Sequence, residues 1–177
     1  SGSYDRPLLR IDPHTNRVAA RIPRRTPSGA AFPSGGFVTV AGSRVWVFSG
    51  SGALLVDQNK TVVGEGWNRS SLNPTWHGEM DAINKCAASH PKIDWTRLTL
   101  YTTAEPCAMC EGAVAWAGIR RVVFGSSIPF LKSLNWWAID IRAAELARLA
   151  AFRECTVVGG VLEEECNQLF HAALKIK

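Results

Sequence analysis

The chain has 177 residues, enough for one core of ordinary domain size and too few for two. A hydrophobic content of 46% with 20% charged residues excludes a globally disordered chain, and no apolar run reaches the roughly 18 residues that a membrane helix needs. The formal charge of +5 sits in the opening segment, where Arg6, Arg10, Arg17, Arg21, Arg24, Arg25 and Arg44 face only Asp5 and Asp12. Five cysteines, an odd number that includes a Cys-x-x-Cys, suit a metal and a reducing compartment better than a disulfide framework, so a cytoplasmic setting is expected.

Residues 4–35 are rich in Arg, Pro, Ser and Gly and keep no helical period for two turns, which reads as loop or arm. Such an arm can hold an RNA backbone by counterion release, or it can be a solvated extension. Phe37-Val38-Thr39-Val40 and Arg44-Val45-Trp46-Val47-Phe48 flank a Gly-containing turn and predict a hairpin. Residues 1–50 are therefore expected to form a basic arm or irregular extension with a hairpin, and 51–177 the main domain.

A second hairpin is predicted from Ala53-Leu54-Leu55-Val56-Asp57 and Thr61 to Trp67, around Gln58-Asn59-Lys60. Asn68 to Thr75 is a polar loop. A helix follows, opening near His77 with Met80, Ile83 and Ala87 on one face and closed by Pro91. Arg97 to Thr103 is a strand, Cys107 to Ala117 a helix behind Pro106, and Arg121 to Phe124 a strand. Residues 126–142 have no clear period. A short helix over 143–150, a strand over 155–158, a Gly159-Gly160 break and a helix to Leu174 close the chain. The order implies a mixed sheet covered by helices, an α/β fold.

Within this frame His77, Cys107 and Cys110 offer one imidazole and two thiols near two helix starts. Zinc takes tetrahedral nitrogen and sulfur ligands, and catalytic zinc keeps three protein ligands and one position for water. Backbone N–H groups at a helix start favour thiolates. Glu79, two residues beyond His77, is directed beside the metal rather than onto it, where a carboxylate can move protons between water, a ring nitrogen and a leaving amine. A structural site would instead recruit a fourth ligand, for which Cys86, His90, Cys155 and Cys166 are available.

His-x-Glu followed by Pro-Cys-x-x-Cys is a signature of zinc nucleobase deaminases. From about Gly52 to Phe170 the chain resembles the cytidine deaminase-like superfamily, in the branch of guanine deaminases and tRNA adenosine deaminases. The matching text is Gly52 to Asp57, Gly66-Trp67-Asn68-Arg69, Asn73 to Glu79, Leu100 to Cys110, and Gly160-Val161-Leu162 with Cys166. The resemblance implies a three-layer α/β/α fold with a mixed five-stranded sheet, Zn2+ as cofactor and, commonly, a homodimer. It also implies that Asn68 hydrogen-bonds the base and that the Gly78 backbone lies against it. Two departures stand out: Arg-rich, β-like sequence occupies the place of the family's first helix, and Gly78 stands where the family has Ala, a change expected to be tolerated.

The expected activity is hydrolytic deamination of a small nucleobase or nucleoside, guanine-type purine first. Adenosine in tRNA and cytosine or cytidine are the alternatives. A nucleic-acid-binding module with structural zinc is the reading from another class, and it leaves Glu79 without a purpose. Trp136 and Trp137 are either core or a stacking wall for a base, and Asp140 either reads a purine edge or is a surface carboxylate.

Overall fold

The computed structural model describes residues 52–174 throughout and, of the preceding segment, the backbone of four strands. These are β1 (Leu8–Asp12), β2 (Arg17–Ile22), β3 (Val38–Ala41) and β4 (Arg44–Val47), ordered β2-β1-β4-β3 in an antiparallel sheet. The hairpin expected over 37–48 is therefore present as β3 and β4. The reading of 4–35 as loop is corrected by β1 and β2. Their aliphatic positions are interrupted by arginines, and the ladder hydrogen bonds between them rather than local propensity make them strands.

The main sheet is five-stranded and mixed, in the order β6-β5-β7-β8-β9. Its strands are β5 (Gly52–Val56), β6 (Val62–Trp67), β7 (Thr99–Ala104), β8 (Arg121–Ser126) and β9 (Thr156–Val158). β5 runs antiparallel to both β6 and β7, and β7, β8 and β9 are parallel. Among the described residues five α-helices connect and cover them: α1 (Gly78–Ser89), α2 (Ala108–Ala117), α3 (Ile128–Ser133), α4 (Ala143–Leu149) and α5 (Glu163–Leu174), with a short 3-10 turn at Trp95–Arg97. Among the described residues no helix is long and apolar enough to cross a membrane.

Strand alternation sends Ala53, Leu55, Leu100 and Val122 to one face, where Ala82 and Cys86 of α1 and Val114 of α2 complete a fully buried core. Burying each of the larger side chains contributes roughly 1.5–3 kcal/mol. Two glycines on that face of β6 let α1 come close: a Cβ at Gly64 would lie 2.8 Å from Ala82 O, and one at Gly66 only 2.2 Å from Gly78 O. Leu54 and Val56 point the other way, and on that opposite face α5 packs Cys166 against Gly125 of β8. The fold is thus three layers, α/β/α, around a mixed sheet. Every strand and helix expected after residue 50 is present. One helix was not foreseen: α3, where Ser127 caps the start by accepting from Phe130 N and Pro129 occupies the first turn.

Candidate active site

Two helix starts meet at the C-terminal end of β7. His77 precedes α1 with an extended backbone (φ −73°, ψ 161°), and its carbonyl accepts the first helical hydrogen bond from Asp81 N at 3.0 Å. Cys107 holds the same place before α2 (φ −67°, ψ 169°), accepting from Glu111 N at 2.9 Å. Neither side chain caps its own helix, so imidazole and thiol both remain available. One turn into α2, Cys110 is buried beside them.

His77 Nδ1 lies 3.6 Å from Cys107 Sγ and 3.6 Å from Cys110 Sγ, and the three donor atoms all lie within 4.8 Å of one another. A tetrahedral centre with bonds of about 2.0 Å to nitrogen and about 2.3 Å to sulfur has N–S edges of about 3.5 Å. The triangle therefore fits zinc. Among the described residues no fourth His, Cys, Asp or Glu joins it. The other cysteines are poor thiolates: burial pushes Cys86 up, and Cys155 and Cys166 up to about 12. Of the pair, Cys107 is the readier anion, lowered to about 4 first by the hydrogen bond from Cys110 and also by His77. The same hydrogen bond keeps the proton on Cys110.

Glu79 is buried in the first turn of α1 and stands beside the triangle. Thr102 Oγ1 donates to its Oε1 at 2.6 Å, and Cys110 Sγ lies 3.5 Å from its Oε2. Burial pushes the Glu79 carboxyl up, against the pull of the Thr102 hydrogen bond. Thr102 was not singled out from the sequence, although the alternation of β7 puts it on the α1 face.

A pocket of about 550 Å³ opens onto these groups. Its lining includes His77, Gly78, Glu79 and Cys107, Asn68 and Pro74 of the loop before α1, and Ile128, Leu131, Trp136, Trp137, Phe170 and Leu174 from the later part of the chain. Asn68 serves the turn, its Oδ1 accepting from Ser70 N at 2.9 Å, and it also lines the pocket. Its neighbour Arg69 pairs with Asp81 at 2.9 Å and lies over the rings of Trp67 and Trp76, which pins the loop to α1. Gly78 sits against β5, where an added Cβ would approach Gly52 Cα to 3.0 Å. An alanine there would need a small retreat of the chain.

Trp136 packs edge-on against Phe170 of α5, with ring centroids 5.6 Å apart, while Trp137 stands fully exposed at the rim. Asp140 is not among the lining residues; it is exposed and pairs with Lys132. Phe170 and Leu174 were read only as part of an apolar stripe, and nothing local shows that one edge of the stripe faces a pocket. Glu111, also unforeseen, is fully buried with both oxygens unpartnered, and burial pushes it up to about 7, with the charges of Glu79 and Glu105 adding.

The family described as the cytidine and deoxycytidylate deaminase zinc-binding region matches residues 49–126. The chain is 38% identical to a tRNA-specific adenosine deaminase of Haemophilus influenzae over 119 residues, 66% of each chain. It is 42% identical to a probable cytosine deaminase of Schizosaccharomyces pombe over 120 residues, 64% of this chain and 72% of that one. In structure it is similar to a guanine deaminase from Nitrosomonas europaea, with a TM-score of 0.60 and 23% identity over 68% of this chain and 70% of the other, a likeness of fold.

Proposed function

The chain belongs to the cytidine deaminase-like zinc deaminases, and from that premise we propose that it hydrolytically deaminates a small aminated purine, guanine type first, as free base or nucleoside. Residues 51–177 form the deaminase unit in this reading and 1–50 a basic appendage. The observation that carries it is the juxtaposition of the metal triangle, the buried Glu79 and one pocket of small-molecule size walled by Trp136. His77 Nδ1, Cys107 Sγ and Cys110 Sγ would hold the zinc. When bound, zinc supplies Lewis acidity that lowers the pKa of water to roughly 7.

The remaining work falls to the chain. With Cys110 a thiolate it has no proton to donate to Glu79 Oε2, and that oxygen becomes the acceptor for the proton of the attacking water. Thr102 holds the other oxygen in place. Water oxygen adds to the ring carbon that bears the amine, and Glu79 passes the proton to the adjacent ring nitrogen. Glu79 then takes up the remaining proton of the added oxygen and delivers it to the amine. The C–N bond breaks, ammonia leaves and a carbonyl remains. Asn68 reads the base edge, the Gly78 backbone lies along it, and Trp136 and Trp137 supply the apolar side.

A second reading, adenosine in RNA, draws on Trp137, which is fully exposed at the rim and offers a face to an unstacked base. The test is ammonia release by zinc-loaded protein from guanine, guanosine, adenosine, cytidine, cytosine and a tRNA. Turnover of guanine or guanosine supports the first reading. Turnover of the tRNA alone replaces it with the second.

A further inference from the structure

Glu105 lines the pocket two residues before Cys107, and a carboxylate at that place invites assignment as a second proton carrier. Its hydrogen bonds say otherwise. Oε1 accepts from Arg142 Nε at 2.8 Å and from Ala143 N at 2.9 Å, and Oε2 accepts from Arg142 Nε at 2.9 Å and from Ile128 N at 2.8 Å. A carboxylate has about four lone-pair sites, and here three N–H groups take them up, the single Arg142 Nε–H being shared between the two oxygens. The side chain is 1% exposed, so water cannot replace a lost partner.

The donors come from the two ends of one segment. Ile128 is the first residue of α3 and Ala143 the first of α4, and between them run Asn135, Trp136 and Trp137 of the pocket side. The backbone of Glu105 is tied as well, donating to Ser126 O at 2.7 Å across the ends of β7 and β8. One carboxylate thus spans the base of the wall, on the same short stretch of chain that carries Cys107. We propose that Glu105 is a positioning residue, which with Arg142 sets the distance between the tryptophan wall and the metal triangle and so determines how tightly the base is held. This rests on the reading of the pocket as the base site.

The experiment uses the full zinc-loaded chain with Glu105→Gln and, because Arg142 is half-exposed and its loss leaves the core intact, Arg142→Met as the second variant. The amide introduced by Glu105→Gln would turn an N–H2 group toward N–H donors. Amide exchange of residues 128 and 134–143 should quicken at least ~10-fold in both variants while that of α1 and α2 stays unchanged. KM for whichever base the wild type turns over should rise ~10-fold or more with kcat within about 3-fold, and Arg142→Lys should recover most of the difference. Unchanged exchange at 134–143, or a fall in kcat with KM unchanged, would overturn the proposal. If the wild type turns over none of the bases, the functional reading fails while the exchange data still decide this one.

Discussion

Gly66 is the most demanding position in the architecture that brings α1 to the site. A Cβ there would lie 2.2 Å from Gly78 O and 2.3 Å from Ala82 N, both backbone atoms of the first turns of α1. Side-chain rotation cannot relieve that overlap, so Gly66→Ala requires the helix to withdraw by about 1 Å, an overpacking that costs roughly 1–3 kcal/mol. The displacement is not shared evenly. His77 and Glu79 move with α1, whereas Cys107 and Cys110 stay with α2, so the 3.6 Å spacing of His77 Nδ1 from the two sulfurs is lost. A misplacement of that size costs on the order of 100-fold in rate. Zinc affinity measured by chelator competition and kcat/KM for ammonia release should fall together, with the melting temperature lowered by several degrees. Wild-type zinc affinity and activity in a folded Gly66→Ala protein would refute the account of how α1 is placed.

Glu79→Gln keeps an acceptor for Thr102 and relieves the burial of a charge, so it should bind one zinc per chain and melt no lower than wild type. Its kcat should fall roughly 10²–10⁴-fold, and a fall of less than about tenfold would remove Glu79 from its role. Asp81 gives a pH test. Partial burial pushes its carboxyl up, but the hydrogen bonds from Lys85 and Arg69 pull it further down, for a net lowering. A lowered folded value means that its contribution is present above the unfolded value of about 3.9 and is lost as pH falls through the folded one. Asp81→Asn should therefore be less stable by about 1 kcal/mol at neutral pH, with the gap closing as pH falls below the unfolded value and through the lowered folded one, as denaturant titrations would show. A gap independent of pH would rule out the ion pairs as its source.

What could be read without coordinates follows from how local each signal is. The strands β5 to β9 carry β-branched and apolar runs between turn residues, and α1 and α2 are announced by polar loop, Pro and small residues. The metal triangle was legible because His77 and the Cys-x-x-Cys each sit at a helix start, which fixes their geometry locally. The pocket was less so. Phe170 and Leu174 reach it across more than 90 residues of chain from His77, and whether an apolar helix edge meets core or cavity depends on packing alone. The two readings of Asp140 stay open in the sequence for the same reason: within 134–142 no period exists to say which side chains turn inward, and the structure pairs it with Lys132. Glu105 is near the metal by sequence and open to a structural role, but its partners are not legible locally because its donors come from positions 23 to 38 residues away.

The central claim is that His77, Cys107 and Cys110 assemble one zinc centre on which deamination depends. Its most direct test is to strip the protein of metal and titrate zinc back while following ammonia release from the best substrate of the panel. Activity should rise linearly and stop at one zinc per chain, and Cys110→Ser should abolish both binding and activity. Full activity in the stripped protein, or zinc binding at one per chain that leaves activity at the level of the uncatalysed reaction with every substrate, would contradict it.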